Sequence, residues 1–153
     1  MSNVKINNEI NLTYPETFKE MSGEELTRYF GNPDNRWGVY DADRHIILSV
    51  SWKKAGVLSS DPETVIIGAE ARLRRNLLNY QRISEFKTKI ASKKAYGVRF
   101  EYRVNDARIV QVADLMTFKY KKNFYSIYYV TRKATAAQDR ADFEEIIKSI
   151  SVG

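Results

Sequence analysis

Residues 98–133, VRFEYRVNDARIVQVADLMTFKYKKNFYSIYYVTRK, constrain the fold of this chain more than any other stretch. Aromatic and β-branched residues alternate there with Arg and Lys through strand-length runs, interrupted at Asn105-Asp106 and Lys121-Lys122-Asn123. Period-two alternation sends successive side chains to opposite faces. The stretch therefore reads as an antiparallel meander with one face buried and the other wet and positive.

The flanking sequence supplies what such a sheet packs against. Residues 4–14 read as a strand pair or one kinked strand, closing on Tyr14-Pro15, where the residue before proline is held extended. Ser22-Gly23-Glu24-Glu25 is a capping box opening a short helix, which Gly31 and Asn32-Pro33 stop. Strands are expected over 36–40 and 45–53, joined by the polar turn Asp41-Ala42-Asp43-Arg44. After a loop over 55–60, Ser60-Asp61-Pro62-Glu63 repeats the capping signature. The spacing of Ile66, Ala69, Leu73, Leu77 and Tyr80 then predicts a long helix running to about Tyr80. Strands follow near 84–90, 94–104, 108–120 and 124–133. A last helix begins near Thr135 and turns Phe143, Ile146, Ile147 and Ile150 to one side. The expected fold is α+β, an antiparallel β-sheet flanked by helices, and 153 residues suffice for a single domain over 1–153.

Taken together, the opening INLTYPETF, the hairpin RWGVYDADRHIILSVSWKK, the long helix before a meander and the ending FEEIIKSISV resemble the PsbP-like superfamily of small α/β sandwich domains. That superfamily includes a photosystem II extrinsic protein, a yeast Ran-binding nucleotide-release factor, bacterial proteins of unknown role and chaperones of type VI secretion effectors. The resemblance covers nearly the whole chain and rests on element order. It implies a binding or scaffold domain, and it carries no catalytic motif to transfer. Cystatin-like domains are the competing architecture, but they place their long helix before most of the strands.

Composition narrows the chemistry. With no cysteine, disulfides, thiolate metal sites and Cys nucleophiles are excluded. The start MSNVKINNEINLTYP has no apolar core of a signal peptide, and no apolar run is long enough to span a membrane, so a soluble, cytoplasmic protein is expected. The net charge of +6 is uneven: residues 71–133 hold 16 Lys/Arg against 4 Asp/Glu, whereas residues 1–70 hold 7 against 11. Such a positive span suits an anionic partner, although a merely solvated outer face explains it as well.

Individual residues offer little catalysis. The scattered glycines form no phosphate-binding loop. His45, the only histidine, flanks a turn, and no Ser sits in a G-x-S-x-G context. Asp41, Asp43 and His45 would share a face on a strand and suit a divalent cation, but they fall in a turn that breaks the alternation. No metal and no cofactor is therefore expected. Asp114 interrupts the apolar side of the meander, so it is either a perturbed functional carboxylate or the partner of a nearby Arg.

The basic-aromatic run is the best functional hint. Neighbouring rings at 124/125 and 128/129 must occupy both faces, so some are core. Arg99, Arg103, Lys119, Lys121, Phe124 and Tyr128 are the candidate binding residues of an exposed face. A non-enzymatic domain binding a protein partner through its sheet face or basic edge is the first expectation. A nucleic-acid module using residues 71–133 is the second, with aromatic stacking and cationic phosphate contacts but no RNP-type motif.

Overall fold

A computed structural model describes residues 1–56 and 61–153. Left-handed Asn7 and Asn8 turn the N-terminal segment back on itself, so residues 4–14 resolve into a hairpin of β1 (Ser2–Ile6) and β2 (Ile10–Tyr14). A two-residue strand β3 (Lys19–Glu20) precedes α1 (Gly23–Phe30). The capping box forms as read: Glu25 N–H donates to Ser22 Oγ, Ser22 N–H donates to the Glu25 carboxylate, and left-handed Gly31 ends the helix. Strands β4 (Arg36–Asp41) and β5 (Ile46–Lys54) then pair across the polar turn.

The long helix α2 spans Pro62–Asn76. Its N-cap is Asp61, whose carboxylate accepts from Glu63 N–H at 3.0 Å, while the Ser60 cap lies outside the described residues. The helix stops four residues short of Tyr80, because Leu77 turns extended and begins the approach to β6 (Leu78–Ile90). The apolar stripe misled here for a physical reason. Ala69, Leu73, Leu77 and Tyr80 all pack on one core cluster, the first two from the helix and the last two from the chain beyond it. Strand β6 thus starts well before the expected residue 84, with left-handed Asn79 and two register slips near its start.

Strands β7 (Lys93–Val104), β8 (Ile109–Tyr120) and β9 (Asn123–Arg132) complete the meander. Left-handed residues make the turns, Ala91-Ser92, Asn105-Asp106-Ala107 and Lys121. A single 3-10 turn leads into α3 (Ala136–Ser149), and β10 (Ser151–Val152) ends the chain.

Seven strands form one antiparallel sheet in the order β3-β4-β5-β9-β8-β7-β6, and β1-β2-β10 form a second. Alternation along the large sheet separates two cores. Leu48, Val50, Phe118, Tyr125, Ile127 and Tyr129 face the small sheet and α3, where Ile10, Leu12, Phe143 and Ile146 meet them. Tyr96, Val98, Phe100, Tyr102, Ala113 and Leu115 face Ile66 of α2. Gly97 lies where a Cβ would come within 2.5 Å of the Phe86 ring, which fills that place. The result is a sandwich with both faces of the large sheet covered along its middle.

Candidate binding surfaces on the sheet faces and the free edge

Asp114 is buried as its position in the alternation implied, and its partner is Arg99, directly opposite it in the β7/β8 register. The pairing is a two-pronged fork, Arg99 Nε to Oδ1 at 2.7 Å and Nη2 to Oδ2 at 3.0 Å. The hydrogen bond to Asp114 outweighs burial and holds Arg99 charged. A cavity of about 580 Å³ under α3 reaches this pair, with Arg140 and Glu144 on its wall. Both carboxylate oxygens of Asp114 are thus occupied by a guanidinium, and the pair ties β7 to β8.

The aromatics of β9 are mostly spent inside. Phe124, Tyr125 and Tyr129 are 2%, 0% and 4% exposed. Tyr129 stacks on Phe143 at 4.3 Å between centroids. The Tyr125 hydroxyl joins the two sheets by bonding Glu9 and Asn7. Tyr128 is half-buried beneath α2, stacked on Phe100 at 6.2 Å.

The six residues proposed from sequence do not share one surface. Arg99 and Arg103 point to the α3 side of the sheet, and Arg103 donates to the carbonyl of Ala107 at 3.1 Å. Lys119, Phe124 and Tyr128 fall on the α2 side, and Lys121 stands exposed in the β8–β9 turn with its ammonium 5.4 Å from the Tyr120 ring. His45 is exposed and left-handed in its turn, while Asp41 accepts from Arg44 N–H at 3.2 Å, so Asp41, Asp43 and His45 do not align as on a strand.

What stands open is the edge strand β6. Of its 13 residues only Ile90 is buried, and Ile83 is 48% exposed. Residues 78–94 carry five Lys/Arg and one Glu. Among the described residues Lys87, Lys89, Lys93 and Lys94 have no carboxylate partner. Lys89 faces Lys94 directly across the ladder, a like-charge pair that costs stability. The strand is held to α2 by Glu70, which accepts from Tyr80 Oη at 2.6 Å and Arg82 Nε at 2.8 Å. One feature carried no signal in the sequence: Arg36, at the start of β4, lines a groove under α2 with no ion-pair partner among the described residues.

A large antiparallel sheet with a helix on one face, and a helix and small sheet on the other, is the PsbP-like α/β sandwich. Solved structures agree. The chain superposes on cyanobacterial PsbP of Synechocystis sp. PCC 6803 with a TM-score of 0.70 at 11% identity, covering 99% of this chain and 92% of that one. For LpqN of Mycobacterium tuberculosis, described as involved in cell envelope biogenesis, the TM-score is 0.68 at 14% identity, covering 94% and 82%. For the Ran-binding protein Mog1p of Saccharomyces cerevisiae it is 0.63 at 12%, covering 99% and 96%. At these identities the likeness is one of fold. No family model and no curated protein sequence matches the chain. Among the described residues no helix is long and apolar enough to cross a membrane.

Proposed function

We propose that this chain is a non-enzymatic, cytoplasmic binding domain that docks an acidic protein surface on its basic edge, the β6–β7 hairpin. One observation carries the reading: four lysines at 87, 89, 93 and 94 stand at the turn end of the hairpin without carboxylate partners among the described residues, two of them opposed across the ladder. Both sheet faces are covered along the middle of the sheet, which favours the edge over a face. Mog1p, of the same fold, is described as Ran-binding, so protein recognition is within the reach of this architecture.

The test is a quadruple reversal, K87E/K89E/K93E/K94E, at exposed positions where the fold should survive. Proteins retained from native lysate by the wild-type chain should cross-link to these lysines and be lost by the variant, with circular dichroism unchanged. Equal retention by a folded variant would refute the docking surface. Nucleic acid is the second reading, since the same lysines would suit phosphates. Oligonucleotide binding that weakens log-linearly with salt would favour it over the protein reading.

A further inference from the structure

The groove between α2 and the β4, β5 and β9 strands holds a cation whose charge is not answered. Arg36 Nη1 donates to Ser49 Oγ at 3.2 Å, and the guanidinium carbon lies 4.3 Å from the centroid of the Phe30 ring. Its Nε is buried with no hydrogen-bond partner among the described residues. No described carboxylate lies within ion-pair distance of it, and residues 57–60, Val-Leu-Ser-Ser, have none to offer. Burial pushes the guanidinium below its usual range, as expected of a charge that has lost water and gained no counter-ion. A buried donor left unmade is expensive, and a ligand is one of the standard reasons for a fold to keep one.

The space beside Arg36 fits that reason. A cavity of about 500 Å³ opens there, within the range of small-molecule sites. Phe30, Leu73, Phe124 and Tyr128 give it apolar and aromatic walls. Lys53 and Arg72 stand exposed on its lining, also without ion-pair partners among the described residues, against a single exposed carboxylate, Asp34. Three cations against one anion make the lining positive.

We propose that this groove binds a small organic anion, a phosphate or carboxylate carried on an aromatic or apolar body, with Arg36 as its charge anchor. The anionic head pairs with the Arg36 guanidinium, Lys53 and Arg72 draw it in from solvent, and the body lies along Phe30 and Tyr128. The site goes beyond protein docking and sits in the other half of the sheet from β6.

Phenyl phosphate is the probe, with inorganic phosphate and phenol as its two halves. Calorimetry should show phenyl phosphate binding more tightly than either half. The Arg36 Nε–H resonance should shift on titration. Arg36→Gln should weaken binding about tenfold or more, the scale of a charge-assisted hydrogen bond. If that variant does not fold, K53Q/R72Q, at exposed positions, should still weaken binding several-fold. No heat and no Nε–H shift up to about 10 mM probe would overturn the site, as would unchanged affinity in a folded Arg36→Gln or in K53Q/R72Q.

Discussion

Arg99 and Asp114 face each other across adjacent strands, and neither is replaceable alone. Removing the carboxylate leaves a guanidinium that is mostly buried beside an apolar wall. A fully buried pair broken this way loses about 3–5 kcal/mol, and the partial exposure of Arg99 lowers that to about 2–3 kcal/mol for Asp114→Ala. Urea unfolding would measure it, and R99M/D114L should recover most of the loss. That Asp114 would pair with an Arg was one reading of an acid on the apolar side of an alternating strand, but which Arg needed the register, since Arg99 read as a residue of an exposed binding face. Arg36 was not legible. Nothing in RWGVYD marks its first residue as lacking a counter-ion, since that lack depends on what Ser49, Phe30 and Tyr128 bring to it from elsewhere in the chain.

At the scale of elements, α2 and β6 depend on one carboxylate. Hydrogen bonds from Arg82, and then from Tyr80, hold Glu70 down to about 2 from an ordinary 4.5, against the upward push of burial. A carboxylate depressed in the folded state stabilises fully above its unfolded value, and that contribution fades as pH falls from 4.5 toward 2. Stability of the wild type should therefore drop across this acid window, and Glu70→Gln should flatten the limb while lowering stability at neutral pH. Denaturant midpoints taken across roughly pH 2 to 6 would show it. The turns at Asn105-Asp106 and Lys121-Lys122-Asn123 were readable from their polar residues, whereas residues 4–14 read equally as one kinked strand and the left-handed Ala91-Ser92 turn carried no such signal. The α2–β6 junction was not readable either, because a helix and a following strand can lay apolar side chains on the same cluster at helix-like spacing.

For the molecule as a whole, element order indicated the sandwich, while the allocation of aromatic rings to its two cores needed the strand register. Phe143, Ile146 and Ile150 of the C-terminal segment lie in the same core as Ile6, Ile10 and Leu12 of the first hairpin. A chain ending at residue 135 should accordingly fail to fold, with a collapsed amide spectrum in nuclear magnetic resonance rather than a dispersed one. The small sheet closes only when Val152 comes opposite Ile10 and the Gly153 N–H reaches the carbonyl of Glu9. Ile10 and Val152 leave the ribosome far apart in time. The nascent hairpin must wait with Ile6, Ile10 and Leu12 bare for roughly 7–30 seconds at ordinary elongation rates of about 5–20 residues per second. During that interval the chain is sticky in a way the finished molecule is not, and a holding chaperone would find its target at the β1–β2 hairpin.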